Sequence, residues 1–304
     1  MMYIIRSLTE FHRLLGLSEP LHPLISVIQV LDMKLQENKI WEKFTTDFYC
    51  VAIKKNITAK VTYGRQHYDF DKGVMNFFAP KQVQSIDIEE TITFQRECGE
   101  GCMLIFHPDF LAKHSLAQEI RNYGFFSYSV NEALHLSERE EQSVLDIFHK
   151  IVIEYQHIDH HTQPILLSQI ELLLNYGNRF YERQFITRKV GNHDILTRME
   201  NLLNDYFDRE ESLNYGLPSV EFIARKLNLS PHYLSDMLRS ITGLNAQQHI
   251  HEKVIDKAKE YLLASELSVG EIAYKLGFEY PQSFHKLFRK KTEMSPLEFR
   301  GGVN

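Results

Sequence analysis

No run of apolar residues in this 304-residue chain is long enough to cross a bilayer, which takes roughly 18–20 residues. Cysteine is scarce as well. Three residues, an odd number in a long chain, do not make a disulfide framework and point to a reducing compartment. The N-terminal stretch MMYIIRSLTEFHRLL carries charge early and lacks a small-residue cleavage site, so it does not read as a secretory signal. These absences lead to the expectation of a cytoplasmic protein with no membrane partner. A basic surplus is also missing: the net charge is −6, against what a nucleic-acid partner would ask for. What is present is an ordinary globular composition, 43% hydrophobic and 24% charged, long enough for two or three cored domains.

The distribution of charge says more than its sum. From Leu217 to Arg300 there are 12 Lys/Arg against 10 Asp/Glu, so this part carries +2 and the remainder −8. A mildly basic C-terminal part is attached to an acidic body.

The predicted elements divide the chain in the same way. Between Ile25 and His107, short runs rich in β-branched and aromatic residues (FYCVAI, AKVTYG, VMNFFAP, TITFQRE) alternate with polar breaks, the pattern of a sandwich or barrel. After Pro108 the period changes. SEREEQSVLDIFHKIVIEYQ puts Val144, Phe148, Ile151 and Tyr155 on one helical face, and Ser137 with Glu140 forms a capping box. A second helix follows, with Ile165, Ile170, Leu173, Gly177 and Phe180 on one side. Its triplet Leu172–Leu174 is apolar over more than one face, which suggests two neighbours, one of them a second subunit. The expected organisation is a sensor and dimerisation domain over 1–186 (β-rich at about 25–107, helical at about 110–186), a linker at 187–193, and an all-helical domain over 194–304.

That last domain contains one design twice. VEFIARKLNLSPHYLSDMLRSITGLNA aligns with VGEIAYKLGFEYPQSFHKLFRKKTEMSP. Val220, Ile223, Ala224 and Leu227 match Val269, Ile272, Ala273 and Leu276; beyond the turn, Leu234, Leu238, Arg239 and Thr242 match Phe284, Phe288, Arg289 and Thr292. Each copy is a helix with a small central residue, a tight turn and a second helix, the requirement of a helix-turn-helix unit. Asn245 and Gln248 cap a long helix that joins the copies.

With the repeat in view, the end of the chain resembles the DNA-binding domain of the AraC/XylS family of bacterial transcription regulators. The resemblance rests on IAYKLGF, Phe284 with Phe288, the basic FRKK and the closing SPLEFR, and it covers Asp194–Arg300. It departs at Glu293, where the family usually has glycine, and at Asp236, where several members have a base-reading cation or amide. The implied function is a sequence-specific DNA-binding transcription regulator responsive to a small-molecule effector. The implied partners are double-stranded DNA, RNA polymerase and a second copy of the chain. The implied fold is α+β and multidomain: an N-terminal β-rich, cupin-like barrel with a helical hairpin, then two helix-turn-helix units joined by a long helix.

By position in the motif, Gln282, Ser283, His285 and Lys286 of the second copy fall where bases are read, and His232, Tyr233, Ser235 and Asp236 are their counterparts in the first. Gln suits adenine and Lys suits guanine. Arg239, Arg289, Lys290 and Lys291 are the expected phosphate contacts. For Asp236, an ion pair with Arg239 at i+3 is preferred to acceptance from cytosine. Phe284, Leu287 and Phe288 are the expected buried stripe.

The competing class is a cupin-type metalloenzyme with a helical accessory module, and a third is a structural protein using the helices for protein contacts. An enzyme would need converging histidines. His67 stands alone before the VMNFF run, Gln84 occupies a position suited to a ligand histidine, and His107 is expected outside the barrel. His157–His161 (HIDHH) reads as a solvated loop, and Cys98 with Cys102 lacks the second pair of a zinc site. No catalytic residue, metal or cofactor is expected.

Overall fold

The structure is a computed structural model describing residues 2–35, 38–55, 73–86, 100–129 and 132–302. It is of mixed α+β type and divides into two compact units, Met1–Gln184 and Phe185–Asn304.

The first unit begins with β1 (Tyr3–Ile5) and helix α1 (Leu8–Leu14), capped by Ser7. Its main sheet contains β2 (Ile25–Gln29), β4 (Tyr49–Lys55), β5 (Gly73–Phe78), β6 (Gly101–Phe106) and β7 (Leu134–Leu136), antiparallel throughout in the order β2-β6-β4-β5-β7. Strand β3 (Phe44–Thr46) pairs in parallel with β1 instead. The alternation in GVMNFF, with Gly73, Met75 and Phe77 buried, follows the two-residue period of a strand with one covered face. A core of Leu8, Phe11, Leu15, Trp41, Phe44 and Phe48 packs with Ile28, Cys50 and Ile105 of the sheet. The runs AKVTYG and TITFQRE, with His67 and Cys98, lie outside the described residues. Among the described residues the five strands form a single row.

Short helix α2 (Leu116–Glu119) leads through irregular turns to β7 and then to helices α3 (Glu138–Gln156) and α4 (Thr162–Thr187). The capping box expected at Ser137 and Glu140 is present, with both reciprocal bonds made. Glu140 also receives both arms of the Arg183 guanidinium, at 3.0 and 2.7 Å, and Arg183 reaches the His135 carbonyl at 2.7 Å. One bidentate pair thus fastens the start of α3, strand β7 and the end of α4. Ile170, Leu173 and Phe180 are buried as the helical period requires, whereas Ile165 and Leu172 are 42% and 41% exposed.

A second polar chain secures the edge of the sheet. The Leu21 amide donates to the Tyr155 hydroxyl, which donates to Ser26; the Ser26 hydroxyl in turn meets His12 Nε2 at 2.9 Å. Because His12 Nδ1 faces the Ser18 carbonyl at 2.6 Å, Nδ1 carries the proton and Nε2 accepts. Burial lowers the pKa of His12, consistent with this neutral form.

The second unit is helical: α5 (Lys189–Asp208), α6 (Glu211–Tyr215), α7 (Val220–Leu227), α8 (Pro231–Thr242), α9 (Ala246–Ala264), α10 (Val269–Lys275), α11 (Pro281–Thr292) and α12 (Pro296–Gly301). The segment 187–193, expected as a linker, carries the end of α4 and the start of α5. The chain breaks at Arg188 and is helical again from Lys189. Gly191 lies within this helix, and the neighbouring Asn192 side chain donates to the Phe185 carbonyl at 2.6 Å, satisfying a group orphaned at the end of α4. That local bond offsets the roughly 1 kcal/mol cost of a helical glycine.

Candidate nucleic-acid interface

Helices α7 and α8 and helices α10 and α11 form two pairs whose backbones repeat bond for bond. In the first, the Leu229 amide donates to the Ala224 carbonyl at 2.9 Å; in the second, Phe278 donates to Ala273 at 3.0 Å. The turns pass through a left-handed residue at the same position, Asn228 at φ 59° and Gly277 at φ 91°. Both α8 and α11 start with proline, whose missing N–H costs nothing in the first turn. Both end on a left-handed residue, Gly243 at φ 80° and Glu293 at φ 63°, whose amides donate to Arg239 and Arg289 at 2.9 Å. The hydroxyls of Thr242 and Thr292 make the same bond to the carbonyl four residues back, at 2.8 Å each. Asn245 with Gln248 and Ser295 with Glu298 then cap the following helices with capping boxes.

Buried Ala224 and Ala273 let the helices of each pair approach closely. Leu234 and Leu238 fill the first pair, and Phe284 and Phe288 the second, all at 0% exposure. Leu287, expected in that buried stripe, is only half-buried. Gly277 is pressed against another backbone: a Cβ there would lie 2.5 Å from the carbonyl carbon of Gly216. With its positive φ, the position leaves room for glycine alone. Arg300, from the closing SPLEFR, bonds the carbonyls of Leu262 and Leu267 at 3.1 and 2.7 Å and so fastens α12 to the end of α9.

The surface left over by this packing carries most of the anticipated residues. On α11, Gln282, Ser283, Lys286, Arg289 and Lys290 are exposed and His285 is half-buried, with residues 282, 286, 289 and 290 sharing a helical face. On α8, His232 and Arg239 are exposed, and Ser235 and Asp236 half-buried. Arg239 pairs with Asp236 at 3.0 Å, the orienting ion pair preferred from the sequence.

Two assignments change. Tyr233 does not point outward: it is 5% exposed and its ring meets Phe185 edge-on at 5.1 Å. Phe185 lies 48 residues away in the chain, so helical periodicity within α8 could not reveal the contact. Lys291, expected to be an open phosphate ligand, bonds Glu252 of α9 at 2.6 Å, which leaves Lys290 as the less encumbered of the two.

The residues considered for metal or redox chemistry are dispersed. His107 caps a turn through Asp109, and Gln84 bonds Thr46 at 3.4 Å while its backbone pairs with Phe44. The stretch His157–His161 is exposed between α3 and α4, as expected for a loop. Among the described residues, no three His, Cys, Asp or Glu side chains converge as metal ligands. Cys102 is buried in β6, and burial pushes its thiol up to about 12, far from a reactive thiolate. Among the described residues, no helix is long and apolar enough to cross a membrane.

Residues 223–302 match a protein-family model described as a helix-turn-helix domain. The HTH-type transcriptional activator RhaS of Enterobacter sp. (strain 638) is 28% identical over 165 residues, covering 54% of this chain and 57% of RhaS. An uncharacterized HTH-type transcriptional regulator of Escherichia coli K12, YijO, is 34% identical over 98 residues, covering 32% of this chain and 34% of YijO. The chain thus matches little more than half the length of RhaS and about a third of YijO. Among solved structures, the C-terminal domain of the response regulator yesN from Fusobacterium nucleatum is 32% identical, covering 33% of this chain and 96% of that one, with a TM-score of 0.29. The DNA-binding domain of AdpA, solved with a target DNA, is 23% identical over 34% of this chain and 90% of that one, with a TM-score of 0.30.

Proposed function

We propose that this chain, whose C-terminal domain is of the AraC type, is a transcription regulator that reads double-stranded DNA through two helix-turn-helix units and takes a signal through its N-terminal unit. One observation carries the reading: the α7–α8 and α10–α11 pairs repeat the same turn geometry and leave polar and basic residues of α8 and α11 exposed. A single exposed basic helix is common on protein surfaces; a duplicated helix pair with matched turns and left-handed helix ends is not explained by solvation.

The mechanism follows from the connection. Helix α9 has 19 residues, about 28 Å at 1.5 Å per residue. That length is close to the roughly 34 Å separating successive major grooves on one face of a duplex. Helix α11 enters one groove and offers Gln282, Ser283, His285 and Lys286 to base edges; helix α8 enters the next with His232, Ser235 and Asp236. Tyr233 supports α8 from within and is withdrawn from the base-reading set. Arg289 and Lys290 hold phosphates, Arg239 does so while oriented by Asp236, and Lys291 shares its charge with Glu252. Phosphate contacts supply affinity and register, and base edges supply sequence choice.

The N-terminal unit is assigned to sensing, with its sheet read as part of a cupin-like barrel and a small molecule as effector. The helices over Ser137–Phe185 are assigned to homodimerisation, supported by the exposed Ile153, Ile165 and Leu172. RNA polymerase is the further partner this role requires at a promoter.

The test is a salt titration of the full chain on a random-sequence duplex. Six to ten phosphate contacts would lower affinity by about 10³-fold or more between roughly 50 and 200 mM salt. Binding that is absent at the lowest salt, or indifferent to salt, would overturn the proposal in favour of a protein-interaction module.

A further inference from the structure

The phosphate-facing end of α11 does not stand alone. Lys291 bonds Glu252, which brings the first turns of α9 beside the last turn of α11. The residue before Glu252 is His251, half-buried, and its Nε2 lies 2.9 Å from the Gln247 amide nitrogen one turn earlier. An amide nitrogen can only donate, so in this arrangement Nε2 accepts and the imidazole is neutral. The charged groups facing His251 are Lys290 and Lys291 from α11 and Glu252 from its own helix. Glu252 engages Lys291 while Lys290 is exposed, and the Gln247–His251 pair feels the charge of both lysines. Neither Gln247 nor His251 belongs to the residues the recognition motif singles out. The signal available in the sequence was their i, i+4 spacing on the connecting helix.

We propose that Gln247 and His251, together with Lys290 and Lys291, form a phosphate-binding subsite in which His251 takes up a proton as the duplex docks. The inference rests on the DNA-binding reading above and names a contact from the connecting helix that the two recognition helices do not provide. Without DNA, burial first, and then the Lys291 and Lys290 charges, lower the pKa of His251 and keep the ring neutral. A phosphate placed between the ring and the lysines reverses the sign of the local field. The imidazolium then becomes the favoured form, and Nε2–H turns from acceptor to donor. The Gln247 amide, relieved of donating to the ring, donates to phosphate or rotates its oxygen toward Nε2–H. The balance is one proton taken from solvent per subsite occupied.

The sign for affinity follows. The proton is bound in the complex and absent from the free protein, so binding tightens as pH falls and weakens as pH rises through the imidazole range. The probe is a random-sequence duplex, which reports phosphate contacts, with the full chain at constant salt between about pH 6 and pH 8. His232 and His285 are the imidazoles of the recognition helices themselves, so His232→Gln and His285→Gln serve as reference variants. The wild-type chain is expected to bind roughly three- to tenfold tighter at the lower pH, since one pKa unit corresponds to tenfold. His251→Gln should remove most of that dependence, and Gln247→Ala should reduce the salt slope by less than about one unit while keeping part of the pH dependence. Circular dichroism of each variant at both pH values checks that the fold is kept. A dependence that persists in His251→Gln and disappears in His285→Gln or His232→Gln would overturn the assignment, as would affinity that does not vary with pH. Failure to bind duplex at any pH and low salt would instead sink the DNA-binding reading itself.

Discussion

The two helix pairs of the C-terminal unit share a backbone and differ in almost everything that faces outward. In the first, Ser230 caps α8 and Gly243 closes it; in the second, Tyr280 precedes α11 without a side-chain cap and Glu293 closes it in a left-handed conformation. The first pair neutralises Arg239 with Asp236, whereas Lys286, Arg289 and Lys290 of the second are exposed. At equivalent positions, Tyr233 is buried under Phe185 and Ser283 is exposed. The difference teaches that the repeat conserves the means of aiming a helix, through turn, leading proline and small central residue, and leaves the aimed surface to diverge. On this account the second pair supplies most of the electrostatic grip and the first contributes register and a weaker reading.

The comparison can be strained first at the turns. Gly277→Ala combines a positive φ with a Cβ 2.5 Å from the Gly216 backbone. It should cost about 3 kcal/mol or more in denaturant unfolding. Asn228→Ala, at the same position of the first turn and φ 59°, should cost only about 1 kcal/mol. Equal losses would mean that the turns are packed alike and that the asymmetry described here is wrong.

Next come the exposed faces. Gln282→Ala and Lys286→Ala are each expected to weaken binding to a preferred site by roughly 1–3 kcal/mol while changing random-duplex binding little. If either variant lost affinity for all sequences equally, it would belong with the phosphate contacts. Asp236→Ala should act in the opposite direction, freeing Arg239 and removing a repelled carboxylate. Random-duplex affinity should rise about two- to threefold, as befits an exposed ion pair worth well under 1 kcal/mol. Unchanged affinity would show that Arg239 does not face the duplex.

The smallest effect concerns the caps. Glu293→Gly relieves a left-handed non-glycine residue and should stabilise the unit by about 0.5–1 kcal/mol. Gly243→Ala at the equivalent site should destabilise it by a similar amount, and opposite signs in the two thermal shifts are the outcome that supports the repeat.

What could be read before the structure was what short-range physics writes into the chain. The capping boxes at Ser137 and Asn245 depend on residues three apart, and each forms with both reciprocal bonds. The repeat was visible because apolar spacing within a helix is local. Contacts across the fold were not. The withdrawal of Tyr233 depends on Phe185, and the engagement of Lys291 on Glu252, both separated by about 40–50 residues from the helix they modify. The helical conformation of the segment 187–193 was likewise not legible, since the Asn192 bond to the Phe185 carbonyl joins two helices. Helix α1 escaped notice because its seven residues are held by the Trp41 and Phe48 core rather than by their own period.

The division of labour between the two pairs is tested most directly by selecting bound duplexes from a random pool with the full chain, then repeating the selection with Lys286→Ala and with Ser235→Ala. The account predicts two short sequence elements about one helical turn, roughly 10 base pairs, apart. Lys286→Ala should relax one element and Ser235→Ala the other, with the larger loss of information on the side of Lys286. A single element altered by both variants, or no enrichment over the starting pool, would contradict it.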